Sequence, residues 1–212
     1  MDKLPVIVIG AGGHAKVLID ILHRNGVEIV GCTDTNYGLT GIRVMGEKIL
    51  GDDEVILNYP PREVHLVNAL GSIGKTNRRQ RIFEKYEKLG YVFETLVHET
   101  AILSEEVGLA QGAQIMAGVI LQSGVHVMKN ALINTGASID HDCHISAHAH
   151  IAPRAVLNGA VSIGLSAFVG AGAVIIQGVT IGHDAVIGAG AVVLKDVPPE
   201  HKMVGVPARR IA

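Results

Sequence analysis

The sequence predicts an α/β front domain followed by a parallel β-helix, and three observations carry that reading. The second half repeats with a period of six residues. The first 96 residues alternate short apolar runs with helical patterns. Aromatics make up only 3% of the chain while glycine reaches 26 residues, which suits tight repetitive packing better than an ordinary mixed core.

The repeat is the strongest signal, and it decides the architecture of residues 97–212. From Val97 through Leu103, Leu109 and Ile115 to Ile187 and Val193, an aliphatic residue stands at every sixth position, seventeen in all. Four residues after each stands Ala, Val or Cys, from Ala101 through Cys143 to Val197. A period of six is neither helical nor simple strand alternation. It fits short strands joined by tight corners, with one bulky residue pointing inward per side and a small residue where the chain turns. Three hexapeptides then make a triangular coil of 18 residues, and coils stack at strand spacing, about 4.8 Å apart. The stacked aliphatics form a continuous core that no single coil could bury. Pro198-Pro199 is expected to end the frame, because proline cannot donate to a ladder. Periodicity does not set the hand of the coil, and general rules for parallel crossovers favour the right hand.

The front domain, residues 1–96, reads as strand, glycine loop, helix. Val6-Ile7-Val8-Ile9 is a continuous apolar run suited to a central parallel strand. Gly10-Ala11-Gly12-Gly13-His14 follows, and Val17, Leu18, Ile21 and Leu22 then recur at helical spacing. A second strand is expected over 28–33, ending at Asp34, and a third over 64–70, ending at Gly71-Ser72. Residues 78–89 read as a helix, and 91–96 lead into the repeat. Strands alternating with helices imply a small Rossmann-like βαβ domain. Gly-x-Gly after a strand lets backbone amides approach a phosphate at a helix N-terminus. Asp34, at the end of the second strand, is an acid that can take a ribose or a base. Both a dinucleotide and a single nucleotide fit these features, and the short domain matches a single nucleotide better. The glycines alone can also be read as a tight turn.

Bulk properties exclude several classes. A net charge of −2 gives no electrostatic footprint for nucleic acid. No apolar stretch approaches the roughly 18 residues needed to span a bilayer. The opening apolar run stops at Gly10 with no cleavage site before His14, so it is not read as a secretory leader. Two cysteines, Cys32 and Cys143, lack metal or redox spacing and fit a reduced, cytoplasmic protein.

Histidines number eleven, six of them between His126 and His183. In the segment Asn134-Thr135-Gly136-Ala137-Ser138-Ile139-Asp140-His141-Asp142-Cys143, His141 and Asp142 follow the inward Ile139 by two and three positions, so neither points into the core. Cys143 takes the small inward position and should be packed and inert. A histidine near its ordinary pKa can take the proton an amine loses as it attacks a thioester. A neighbouring carboxylate orients the ring and raises its basicity, and backbone amides can hold the oxyanion. His126 and His144, 18 residues apart, should stack on adjacent coils, and His144, His148 and His150 lie close in sequence. Clustered histidines can bind zinc, so a metal-dependent reading stands beside the acyl-transfer one.

Taken together, the Rossmann-like front, Gly-x-Gly-Gly-His, Asp-His-Asp-Cys within a hexapeptide repeat, and the tail Gly205-Val206-Pro207-Ala208 resemble the bacterial nucleotide-sugar N-acetyltransferases of the hexapeptide-repeat acyltransferase superfamily. That family is related to the sialic acid O-acetyltransferases. The resemblance implies a left-handed coil, acetyl-CoA as co-substrate, and direct N-acetylation of the 4-amino group of a nucleotide-linked 4-amino-4,6-dideoxy sugar. It implies His141 as general base with Asp142 as its modulator. His150, Gly159, Ala171 and Ala189 would face the cofactor. Gly12, Gly13, His14, Asp34 and Gly71 would hold the nucleotide-sugar. Ser72 departs from the acidic or amide residue more usual after that last glycine. A homotrimer with active sites between copies is implied, with no resident metal. The alternatives are a sugar O-acetyltransferase and, from another class, a zinc-dependent lyase resembling the hexapeptide-repeat carbonic anhydrases.

Overall fold

The computed structural model describes residues 4–71 and 78–211. Two compact units divide the chain: residues up to Gly71 together with 78–99, and residues from Thr100 onward.

In the first unit β1 (Val6–Ile9) is fully buried, as a central parallel strand must be when both faces are covered. It lies between β2 (Ile29–Thr33) and β5 (His65–Asn68), and both pairings are parallel. Helix α1 (Gly13–Arg24) crosses from β1 to β2. Its buried residues Ala15, Leu18, Ile19, Ile21 and Leu22 fall at i, i+3, i+4, i+6 and i+7 and make one apolar stripe. His23 and Arg24 occupy its last turn, where cations suit the macrodipole. Gly26, at φ +64°, turns the chain out of the helix. Helix α2 (Arg78–Lys88) sets Phe83 and Tyr86 against Ile7, Ile9 and Leu66, and the Phe83 and Phe93 rings stack at 4.3 Å.

The sheet is larger than the sequence pattern indicated. A hairpin of β3 (Arg43–Val44) and β4 (Glu47–Gly51) adds to its edge, with β4 parallel to β2 and antiparallel to β3. Its two-residue loop, Met45 at φ 52° and Gly46 at φ 89°, has the positive angles of a hairpin turn. A methionine at the first loop position conceals that turn, because Asn or Asp is the usual signal there.

In the second unit each frame residue from Leu103 to Val193 is the second member of a two-residue strand. Partners lie 18 residues apart, as in Ser138–Ile139 beside Ile120–Leu121 and Val156–Leu157. Three parallel sheets result. The first runs from Ile102–Leu103 to Val192–Val193, the second from Gly108–Leu109 to Thr180–Ile181, and the third carries Gln114–Ile115 through Val186–Ile187. Inside, Ile133, Ile151, Val169 and Ile187 stack fully buried. Burial of each contributes about 1.5–3 kcal/mol. The proline pair does not end the pairing. Lys202–Val204 rejoins the third sheet parallel to Val186–Ile187, then pairs antiparallel with Arg209–Ile211. The prolines pass through a corner, and the ladder resumes where N–H groups are again available.

The corners share one backbone state. The residue three positions after each inward aliphatic has a left-handed φ at fourteen successive corners, from Gly112 and Gly118 through Asn130, Asp142 and Arg154 to Asp184 and Gly190. Seven of these are glycine and seven are not. Glycine is strictly required elsewhere, where coils touch. A methyl group added at Gly164 would lie 2.6 Å from the backbone nitrogen of His183 on the next coil. Gly164→Ala should therefore destabilise the second unit by about 1–3 kcal/mol, the usual cost of overpacking, read as a lower denaturation midpoint. A midpoint equal to that of the unaltered chain would contradict the coil spacing.

Candidate active site

Two separate constellations stand out, one in each unit. In the first unit a cleft of about 340 Å³ opens at the carboxyl end of β1. The chain leaves the carboxyl ends of the neighbouring strands β1 and β5 for opposite sides of the sheet, the place where open α/β sheets bind ligands. Its floor is the Gly10–Gly13 loop, and the turn Ala69–Gly71 forms a wall. Gly10 has φ +107°, and a methyl group added there would stand 3.2 Å from the Leu70 side chain. Gly12 caps α1 without any side-chain hydrogen bond, and the first turn of α1 holds no acid. Added methyl groups at Gly12 and Gly13 would meet nothing within 4 Å. The start of α1 thus borders the open cleft, and the first amides of a helix are groups that receive phosphate.

His14, Asp34 and Gly71 line the same cleft, so the five positions expected to hold the nucleotide-sugar converge there. Ser72 lies outside the described residues. Asp34 Oδ1 accepts the Asn36 N–H at 2.9 Å, which fixes the carboxylate at the rim. Sequence reasoning missed Asp53, Thr35 and Arg78, which also line it. Asp53 accepts a hydrogen bond from the Thr33 hydroxyl at 2.5 Å. Its position follows from the unforeseen hairpin, which returns the chain to the end of β2.

The second constellation lies on the corner that joins the first and second sheets of the β-helix. His141 Nδ1 and Asp142 Oδ2 are 2.8 Å apart, with side chains 59% and 70% exposed. Asp142 holds the left-handed position, at φ 58°. That backbone state turns its carboxylate back toward the preceding ring. The Asp140 carboxylate accepts the His141 N–H at 2.9 Å. The bond to Asp142, followed by the charge of Asp140, raises the His141 pKa above the ordinary imidazole value, and slight desolvation opposes the shift. Neighbouring coils make room for both groups. A methyl group at Gly124 would lie 2.6 Å from Asp142 Oδ1, and one at Gly159 would lie 2.6 Å from His141 Nε2. Gly159, expected to face a cofactor, also leaves the ring its space.

The remaining expected positions lie elsewhere on the coil. His150 is on the third sheet, 8% exposed, edge-on to Phe168 at 5.1 Å and 3.4 Å from the Asn134 amide. Ala171 and Ala189 follow Gly170 and Gly188 on the corner joining the third and first sheets. A single chain therefore divides these residues between two corners and one face. Cys143 is buried, its thiol donates to the Asn158 carbonyl at 3.2 Å, and burial pushes its pKa up to about 11. Both features disfavour the thiolate that a nucleophile needs. His126 and His144 are paired neighbours on the second sheet. Among the described residues no group of three or more His, Cys, Asp or Glu could hold a metal ion, and no helix is long and apolar enough to cross a membrane.

A second dyad escaped sequence reading. His183 and Asp184 occupy the same two corner positions, with Asp184 at φ 55° and Nδ1 to Oδ2 at 3.0 Å. The last coil is two residues shorter, with Val186 paired to Lys202, so the residue one coil beyond His183 is Pro199, where His141 has Gly159. The local dyad is thus a product of corner geometry, and the glycine beside His141 distinguishes it.

Comparison with known proteins follows this geometry closely. The PglD N-terminal domain family matches residues 5–86, and the hexapeptide repeat of succinyl-transferase matches residues 160–195. The perosamine N-acetyltransferase of Caulobacter crescentus, solved with CoA and GDP-perosamine, superposes with a TM-score of 0.91 at 36% identity, over 98% of this chain and 97% of that one. The chain belongs to the nucleotide-sugar acetyltransferases of the hexapeptide-repeat superfamily. Its β-helix is accordingly left-handed, and it is an acyltransferase. The acetyltransferase domain of PglB from Neisseria gonorrhoeae FA1090, at 31% identity and a TM-score of 0.89, covers 99% of this chain and 100% of that one. WeeI from Acinetobacter baumannii AYE covers the same shares at 27% identity and a TM-score of 0.88. No curated protein sequence matches the chain.

The raised pKa gives a direct check on the His141–Asp142 pair. Replacing Asp142→Asn removes the largest cause of the shift, so the His141 ring should titrate at lower pH, as followed by NMR of the imidazole carbons. An unchanged midpoint would show that Asp142 does not tune the ring.

Proposed function

We propose that this enzyme transfers an acetyl group from acetyl-CoA to the 4-amino group of a nucleotide-linked 4-amino-4,6-dideoxy sugar, with His141 as general base. The observation that carries the reading is an exposed imidazole whose Nδ1 is held by Asp142 and whose Nε2 opens over Gly159. The relative from Caulobacter was solved with CoA and GDP-perosamine, and the Neisseria domain with acetyl coenzyme A. Those ligands are the chemistry proposed for this chain.

In the proposed reaction the amine lone pair attacks the thioester carbonyl carbon. The new C–N bond forms, His141 Nε2 takes the amine proton, and the C–S bond breaks to release the CoA thiolate. The imidazolium then returns the proton to the sulfur. Asp142 holds the ring with Nε2 outward and stabilises the imidazolium as it forms. No covalent enzyme intermediate is needed, in keeping with the buried Cys143. The nucleotide would lie with its diphosphate on the first amides of α1 and its ribose or base toward Asp34.

The division of the remaining candidates supports a homotrimer. Gly159 lies on one corner, Ala171 and Ala189 on another, and the first sheet separates them. One copy's His141 corner facing the next copy's Ala171 and Ala189 corner would gather both sets around one CoA, with His150 beside it.

Thiol release measured across a panel of GDP-, UDP- and dTDP-linked amino sugars tests the proposal. Release with a 4-amino sugar and none with its hydroxyl analogue is expected. His141→Ala should lower kcat by about 10²-fold or more, the usual range for a general base, with the trimer intact by sedimentation. Turnover unchanged in that variant would remove His141 from the reaction, and release with the hydroxyl sugar alone would replace N- by O-acetylation.

A further inference from the structure

We infer that Arg79 and Asn68 form a buried positioning clamp that sets the nucleotide affinity of the cleft in the first unit; this rests on the nucleotide-binding part of the proposed function. Neither residue lines the cleft. Both are buried, at 2% and 1% exposure.

The bonds between them are reciprocal. Arg79 Nη1 donates to the Asn68 carbonyl at 2.7 Å and to the Leu70 carbonyl at 3.0 Å. Asn68 Nδ2 donates back to the Arg79 carbonyl at 2.9 Å. Asn68 Oδ1 accepts the Leu70 N–H at 3.3 Å. One side chain from α2 and one from the end of β5 thus fix the backbone on both sides of Ala69, and the Ala69–Gly71 turn is the cleft's wall.

Stability alone does not account for an arginine here. Burial disfavours the cation and pushes its pKa down to about 9. An apolar side chain of similar length would avoid that cost. The two N–H groups of Nη1 reach two carbonyls of one turn, and the rigid guanidinium plane holds them in a fixed geometry. The gain is a turn held in one conformation. The Leu70 side chain, which packs 3.2 Å from where a Gly10 methyl would stand, carries that order to the glycine loop. A site whose wall is already ordered loses less entropy on binding.

Calorimetry on the full chain, with GDP, UDP and dTDP as probes and CoA as the control ligand, tests the clamp. Arg79→Met should weaken the tightest-binding nucleoside diphosphate by about tenfold or more, one charge-assisted hydrogen bond's worth, with CoA affinity unchanged. Arg79→Lys keeps the cation without the fork and should fall between. Asn68→Ala keeps the cation and removes the other half of the clamp, so it should show the same selective loss, and it decides the matter if Arg79→Met does not fold. In turnover, KM for the nucleotide-sugar should rise while kcat holds. Nucleotide binding equal to the unaltered chain in a folded variant, or equal loss of CoA affinity, would overturn the clamp. An unaltered chain that binds none of the three nucleotides would overturn both the clamp and the nucleotide site. Selective loss in the variants beside an unaltered chain that releases no thiol would uphold the clamp and sink the acyl-transfer reading.

Discussion

The left-handed residue at the third position of each corner is the constraint on which the second unit depends. It recurs at six-residue intervals and turns the chain sharply enough for three short strands to close a triangle. Every frame aliphatic then points inward, and partners lie 18 residues apart up to the strand Val192–Val193. Seven corners meet this demand with glycine. Seven use residues such as Asn130, Asp142 and Asp184, for which the state is less favourable. Asn and Asp tolerate it best, because their short polar side chains bond locally. At Asp142 and Asp184 that local bond goes to a histidine, so the backbone state that closes the coil also sets a carboxylate against an imidazole.

The same constraint explains why two dyads exist and why they differ. His141–Asp142 and His183–Asp184 repeat one local geometry on different corners. Chemistry then depends on what the adjacent coils leave open. Gly124 makes room for the Asp142 carboxylate and Gly159 for the His141 ring. A second carboxylate, Asp140, adds charge beside His141. These glycines are determined by coil contacts, one coil before the aspartate and one after the histidine. A corner that supplies a dyad without that space remains a surface feature.

Much of the fold was legible because it is periodic. Six-residue spacing from Val97 to Val193 is a one-dimensional signal that needs no tertiary information, and the strands follow it residue for residue. The strand–glycine loop–helix opening was legible for the same reason, since β1 is a continuous apolar run and α1 an i, i+3, i+4 stripe. The hairpin at Arg43–Gly51 was not, because Met45 occupies a turn position usually marked by Asn or Asp. Asp53 in the cleft was hidden with it. The path after Pro198-Pro199 was also hidden, since a proline pair says where a ladder is interrupted and not whether it resumes. In the site, His141 and Asp142 could be read from the frame. The clamp of Arg79 on Asn68 and Leu70 could not, because it joins residues 11 and 9 positions apart through carbonyls that no side-chain pattern reveals.

The most direct test of the account is a crystal structure of the enzyme with CoA and the amino-sugar nucleotide that it turns over. The sugar amine should lie within hydrogen-bond reach of His141 Nε2, about 2.6–3.2 Å, with the CoA sulfur next to the amine. An amine seated at His183, or remote from both corner histidines, would contradict the claim that corner geometry positions the catalytic base.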